Sequence, residues 1–453
     1  MHCSKGRLVY LVLMGFLCAV CRGEAECKKD KSPLDELPPH IRQVTKFGQR
    51  ADFSHDGKRI LFIEKTFGDV YEVEIATKII RPVTHHYYHE GYTRALYLAN
   101  GDILLSGARK FDAENPTASR REENAELWVL SKDLSGPPIA LGEHCSEGPA
   151  VSRKNMRIAW TEGGGFWMAD IIYENKAPRL SNKKRIMNSE DIGIECWPET
   201  QNFRPPDEKE LIFSAYLKQE VQSSEVMGLD IATGKVVNYS NADGQYDEPE
   251  GIFPDGKYTL VECDKHRQQE TRYGKDFAGI TLDIYKLALD GSGKTERLTY
   301  FNDYAGYKSS NPVVSDDGRY MAFQFAKEGD KAGVGRGILI FDLAMWEKMR
   351  GDQELDCASG GQLPRTYEEA VAHLVRTMSE EDKRSVRTTA RDDLIKFHFG
   401  WGTGIRNDFG LWGDNTKLLE SCARKKKLEQ IHPDEASMLI IEGVWEALQT
   451  KER

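Results

Sequence analysis

The chain has 453 residues, 40% hydrophobic and 30% charged, which excludes a disordered chain and leaves room for a large repeat array or two domains. Its formal net charge of −10 excludes a general polyanion binder, since phosphate contacts need clustered Lys and Arg, so no nucleic-acid partner is expected. The one basic run, Arg424 to Lys427, reads as a solvated helix face.

Residues 1–25 read as a signal peptide. Lys5 and Arg7 precede an apolar run from Leu8 to Val20 that is short for a membrane span, and Gly23 and Ala25 suit cleavage. The expectation is an exported protein of the periplasm or extracellular space, with lipidation at Cys18 or Cys21 as the alternative to a cleaved soluble form. No later segment is long and apolar enough to cross a bilayer. Cys27, Cys145, Cys196, Cys263, Cys357 and Cys422 are scattered, so no pairing is legible. No two of them stand at CxxC spacing, which argues against a structural zinc site.

Residues 26–39, rich in Lys, Asp, Glu and Pro, read as a linker. Six turn anchors then recur at the period of a four-stranded propeller blade: Asp56-Gly57, Asn100-Gly101, Lys154-Asn155, Asp207-Glu208, Asp255-Gly256 and Asp317-Gly318. An Asp-Gly pair between apolar runs is a hairpin signal because both turn residues must tolerate positive φ. A third strand follows each anchor, as in Val70 to Ile75 and Ile338 to Asp342, and β-branched and aromatic residues fill it. Outer strands such as Ile80 to Thr84 and Glu296 to Tyr300 resemble Ile41 to Thr45, which precedes the first blade. The last blade lacks an outer strand of its own. Residues 40–345 are therefore predicted to be an all-β six-bladed β-propeller, closed by an N-terminal outer strand at 40–45 that leaves no unpaired sheet edge between the first and last blades.

Strand grammar stops near Ala344. Residues 346–363, with Gly351, Gly360 and Gly361, read as a second linker. Residues 364–453 read as a small all-α domain. Thr366 and Glu369 have capping-box spacing, Ser379 and Asp382 start another helix, and Pro433 opens the last. The glycines of Gly400 to Asn407 lack a preceding strand and a Lys-Ser/Thr pair, so no nucleotide site is expected. That stretch reads as a tight turn between helices, with Trp401, Phe409 and Trp412 packing the core. Arg406 is expected either to pair with a buried carboxylate or to face a partner.

The Asp-Gly hairpins at Asp56-Gly57, Asp255-Gly256 and Asp317-Gly318 resemble those of TolB-like propellers, relatives of the WD-repeat propellers in bacterial envelope proteins. The tail resembles a bacterial domain of unknown function in its His398-Phe399-Gly400, Ile405-Arg406-Asn407, Gly410-Leu411-Trp412 and His432-Pro433-Asp434 pieces. The first resemblance implies a fold and an envelope setting, and the second implies no activity.

Two groups of residues are candidates for function. Four residues ahead of each anchor serine (Ser54, Ser315) or its equivalent lie Arg50, Arg94, Gly148, Gln201, Glu250 and Asn311, where the inner strands line a shared channel. Arg50, Arg94, Gln201, Glu250 and Asn311 are the expected channel-lining ligand contacts, with Glu250 facing Arg50 or Arg94. The other group is His85, His86 and His89 in the loop after blade one, a candidate metal set that His144, Glu147, Glu195, Glu199, Glu248 or His266 could complete. No GxSxG elbow occurs, and the tail is too short for the hydrolase domain of propeller peptidases. The leading expectation is a non-catalytic binding or scaffold propeller, a monomer without a cofactor, whose partner is an envelope protein or a small polar or glycan ligand. The alternative is a divalent-metal-dependent lyase or hydrolase acting on acidic glycans through His85, His86, His89 and Glu250.

Overall fold

A computed structural model describes residues 28–449, apart from 29, 122–123, 219–222, 243, 267–280, 328, 331–332, 359–362, 399 and 414. The predicted signal peptide at 1–25 lies outside the described residues. The chain divides into two compact units, 1–346 and 347–453.

The first unit begins with strand β1 (Ile41–Gln43). Blade one is then β2 to β5 (Gln49–Phe53, Arg59–Ile63, Val70–Glu74, Ile80–Pro82). Blade two is β6 to β9 (Tyr92–Tyr97, Ile103–Ala108, Ala125–Leu130, Ile139–His144). Blade three is β10 to β13 (Ser146–Val151, Arg157–Glu162, Gly165–Glu174, Ala177–Asn188). Blade four is β14 to β17 (Cys196–Phe203, Glu210–Leu217, Ser224–Asp230, Val236–Asn238). Blade five is β18 to β21 (Asp247–Ile252, Tyr258–Cys263, Asp283–Ala288, Thr295–Arg297). Blade six is β22 to β24 (Tyr307–Val314, Tyr320–Lys327, Ile338–Asp342), and β1 is its fourth strand. All six sheets are antiparallel within themselves and neighbour one another in chain order around the ring.

The closing strand sits in register Ile41↔Phe341, Arg42↔Ile340 and Gln43↔Leu339. Val44 N donates to Ile338 O at 2.8 Å, and Ile338 N donates to Thr45 Oγ1 at 2.9 Å. This is the predicted closure. It covers the edge of β24 and gives blade six the fourth, outer strand that the other five blades have.

Why the hairpins form is visible in their second residues. Gly57, Gly101, Gly256 and Gly318 have φ of 66°, 88°, 68° and 71°, a region where a Cβ is costly. Glu208 takes the same conformation at φ 54°, so the degenerate anchor of blade four keeps the turn without glycine. Its buried carboxylate gains two donors from blade three, Ser152 Oγ at 2.6 Å and Arg153 N at 3.2 Å, which offset the backbone cost. The core lies between blades. Phe53, Ile60 and Phe62 of blade one pack with Ala322, Ile338 and Ile340 of blade six, and Phe166 of blade three packs with Phe203 and Phe213 of blade four. Each fully buried Phe or Ile contributes roughly 1.5–3 kcal/mol relative to exposure.

Both predicted linkers differ from expectation. Within 26–39, Ser32 caps a short 3-10 turn (Pro33–Asp35), and Leu34 and Leu37 pack on the cluster that holds Ile41, Phe253 and Phe341. Apolar contact won over a polar composition. Helix α1 (Leu343–Ala358) occupies most of 346–363, because Met345 to Lys348 and Gln353 to Leu355 are helix formers that carry Gly351 at a cost of about 1 kcal/mol.

The second unit is helical: α2 (Tyr367–Thr377), α3 (Glu380–Arg387), a 3-10 turn (Arg391–Phe397), α4 (Trp401–Asp408), α5 (Thr416–Lys426) and α6 (Pro433–Gln449). The Thr366 capping box is formed, with Glu369 N donating to Thr366 Oγ1 at 3.2 Å. Phe409, Leu418, Ile440 and Ile441 fill its core. Among the described residues no helix is long and apolar enough to cross a membrane.

Candidate functional site in the propeller channel

Every inner strand of the ring breaks register at the same level. The breaks fall between Gln49 and Asp52, Tyr92 and Arg94, Ser146 and Ala150, Thr200 and Asn202, Pro249 and Gly251, and Ser310 and Val313. The residues expected to line the channel, Arg50, Arg94, Gly148, Gln201, Glu250 and Asn311, stand at or beside these bulges. A bulge adds a residue to one strand and re-aims its side chain, which the period-two alternation of a regular strand does not allow. Arg50 and Asn311 have φ of 54° and 47°, a local strain of about 1–3 kcal/mol held by the surrounding sheet.

The bulges bring Arg94 and Glu250 together. These residues belong to blades two and five, which face each other across a six-membered ring, so their contact bridges the channel. Arg94 Nη2 lies 3.1 and 3.3 Å from the two Glu250 oxygens; the Glu250 side chain is buried and that of Arg94 is 12% exposed. Asn311 Nδ2 donates to Glu250 Oε1 at 2.7 Å, and Asn202 Nδ2 donates to Glu250 O at 3.1 Å. Gly148 supplies the passage. A Cβ there would meet Arg94 Nε at 2.8 Å and Cγ at 3.0 Å. Gln201 stays with its own blade, donating to Ser214 Oγ at 3.1 Å, and the Arg50 amide donates to Gln324 Oε1 at 3.1 Å. Of the two basic residues expected opposite Glu250, Arg94 is the one paired with it.

Around this bridge is an acidic nest. Oxygens of Glu248, Glu250 and Glu262 lie within 4.8 Å of one another, and all three residues are buried. The Tyr216 and Tyr246 hydroxyls both donate to Glu248, and Asn311 N donates to Glu262 Oε1 at 2.6 Å. Burial, and then the Glu250 charge, pushes the Glu248 carboxyl up to about 7. Burial also raises Glu262 well above the carboxylate range, and the charges of Glu248 and Glu250 add to the effect. Burial works to discharge Arg94, but Glu250, Glu199 and Glu248 together hold its guanidinium above its ordinary value. Burial and the neighbouring carboxylates keep Tyr216 and Tyr246 protonated as donors. At the start of β14, Trp197 is 61% exposed, with Lys218 Nζ 5.6 Å from its ring. Chemically the nest can share protons and accept hydrogen bonds.

A second bridge crosses the ring near the hairpins. Arg153 of blade three reaches Asp316 of blade six, with Nη2 at 2.7 Å, and Asp52 of blade one, with Nη1 at 3.4 Å. His55 Nδ1 is 2.8 Å from Asp316 Oδ2 and Nε2 is 2.9 Å from Leu98 O. The hydrogen bond to Asp316 raises the His55 imidazole, against the effect of burial.

The histidines after blade one are placed differently from the metal set expected of them. His85 Nδ1 and His89 Nε2 both turn to Asp69, at 3.1 and 3.0 Å, while His86 packs edge-on against Tyr87. Glu250 is held by Arg94 and Asn311 instead. His144 Nδ1 lies 3.2 Å from Ala125 O, His266 Nε2 2.5 Å from Asn302 Oδ1, and the Glu147 side chain is outside the described set. Among the described residues, the one group of three potential ligands is Glu248, Glu250 and Glu262. Spacing along a loop does not survive as spacing in three dimensions.

Sequence reading missed Glu262, Tyr216, Tyr246, Arg153 and Asp316. One signal was present, a carboxylate at Glu262 closing an otherwise apolar strand. In the helical unit, Gly400 to Asn407 opens helix α4 where a turn was expected. Arg406 is buried, with Nε 3.2 Å from Asp434 Oδ1 and Nη1 donating to Ser437 Oγ at 2.9 Å. Trp412 is exposed instead of packing the core.

Ring and bulges define a six-bladed β-propeller, and a helical domain follows it. Residues 363–448 match the family model described as Domain of unknown function (DUF6794). No curated protein matches the chain. Among solved structures, an oligogalacturonate lyase from Vibrio parahaemolyticus is similar at 12% identity and TM-score 0.40, over 66% of this chain and 80% of that one. TolB from Acinetobacter baumannii is similar at 14% identity and TM-score 0.33, over 66% and 67%. A putative TolB from Agrobacterium tumefaciens is similar at 13% identity and TM-score 0.31, over 67% and 96%. These likenesses concern the propeller fold alone.

Proposed function

We propose that the chain is an exported, non-catalytic binding propeller of a bacterial envelope, presenting the channel mouth around Trp197 to a protein or a small polar or glycan ligand. The observation that carries this reading is the Arg94–Glu250 bridge. A carboxylate bonded to a guanidinium and to Asn311 is poorly placed to act as a base or to take a metal. The exposed indole at the mouth is the type of side chain that anchors recognition.

The test is retention from a bacterial envelope extract on the immobilised full chain, compared with Trp197→Ala. A defined protein or glycan held by the first and lost from the second is expected. Retention of nothing, or equal retention by both, would remove the proposal. Metal analysis of the same preparation addresses the lyase alternative. Stoichiometric Mn, Zn or Ca that disappears in Glu250→Gln would favour the enzyme.

A further inference from the structure

On the hairpin side of the ring, blades one and two enclose a crevice of about 370 Å³, within the range of small-ligand sites. Its floor is Glu72, 4% exposed. Two guanidiniums converge on this single carboxylate. Arg81 binds it closely, with Nε and Nη2 each 2.8 Å from Oε1. Arg59 approaches only to 3.5 Å from Oε2, an oxygen that already accepts from Tyr97 OH at 2.5 Å. One carboxylate neutralises one guanidinium, so the wall carries a surplus positive charge. Lys132, exposed at the rim with Nζ 2.9 Å from Asn100 O, adds another. Asp56 also lines the crevice, accepts from Ser54 Oγ at 2.6 Å and Lys58 N at 3.1 Å and keeps its negative charge, so the three cations Arg59, Arg81 and Lys132 exceed the two carboxylates Glu72 and Asp56 by one.

A guanidinium with five donors and one long contact is prepared to grip two oxygens of a carboxylate or a phosphate, and the ammonium supplies a second charge from the other wall. We propose that this crevice binds a small solute through an oxyanion group, a carboxylate or a phosphate, held between Arg59 and Lys132 with Arg81 and Glu72 fixing the floor. The site lies on the opposite side of the ring from the channel mouth and does not depend on the function proposed there.

The test uses the full chain in calorimetric titrations with glucuronate, citrate and inorganic phosphate at constant ionic strength, with chloride as the reference. Saturable binding of at least one probe is expected, weakened at least tenfold in the Arg59→Gln/Lys132→Gln double variant. Which probe binds separates carboxylate from phosphate as the recognised group. If none of the three binds above chloride, or the double variant keeps affinity within tenfold, the site does not exist. Should the double variant fail to fold, Lys132→Gln alone, an exposed substitution, carries the same criterion. Trp197→Ala should leave this affinity unchanged, which separates the two sites.

Discussion

Arg94 is long, mostly buried and dependent on two neighbours, Glu250 and Gly148. Replacing it by Met would leave Glu250 in the channel without its cation, at a cost of roughly 3 kcal/mol. Adding Glu250→Gln should recover most of that loss, because no charge then needs a partner. Gly148→Ala should cost about 1–2 kcal/mol with Arg94 present and much less in the Arg94→Met background, where the side chain is shorter and neutral. A double-mutant cycle by denaturant unfolding measures that coupling. Additive effects would mean that Gly148 and Arg94 do not share space. Glu248 gives a pH prediction. Its carboxyl is raised from the ordinary range to about 7, so between about 4.5 and 7 the folded chain binds more protons than the unfolded one. The stability contributed by this group is complete below that window and is lost as pH rises through 7. Glu248→Gln should therefore be more stable relative to wild type at pH 8 than at pH 5, by up to about 3 kcal/mol, read as a difference in denaturation midpoint. An unchanged difference would place the proton elsewhere. At this scale the sequence was legible by alignment. Counting back from the anchors found Glu250 and Arg94, but their pairing depends on a Gly in a third blade.

Among the elements, the inner strands repay comparison because all six bulge at one level. Turn chemistry is local and shows in dipeptides, whereas a bulge has no comparable signature unless glycine marks it. That is why the hairpins were predicted one by one and the bulges were not. The linkers were misjudged for a related reason. Gly351 and the polar run at 26–39 argued for loops, while Leu34, Leu37 and the helix formers of α1 followed tertiary contacts and summed propensity. The closing strand was legible because its pattern matched other outer strands. It also carries a prediction. Ile41 is buried against Phe341's sheet, so Ile41→Asp should destabilise the propeller by more than about 2 kcal/mol and make β24 the first ladder to lose amide protection in hydrogen exchange. Uniform loss of protection across blades would argue that the closure is not a separate weak point.

For the whole molecule, repetition made the architecture readable. Six imperfect copies of one four-stranded unit constrain each other, and a weak anchor such as Asp207-Glu208 is placed by its neighbours. Function is not repeated in this way. The channel bridge uses one residue from blade two, one from blade five and one from blade six, and nothing in a linear pattern says that these meet. The helical unit shows the same limit, since Arg406 and Asp434 join the ends of α4 and α6 through a fold that periodicity alone does not supply.

The closure at β1 also sets an order of events in the chain's assembly. The strand that seals the ring is made before any blade, and its partner arrives about 300 residues later, with a loop-closure cost of about 5 kcal/mol. Until then, two edges stand open at once: β24 lacks its outer neighbour and β1 lacks any neighbour. At high concentration a β1 from one molecule can complete the ladder of another, so slow or crowded refolding should yield exchanged dimers whose individual blades are native.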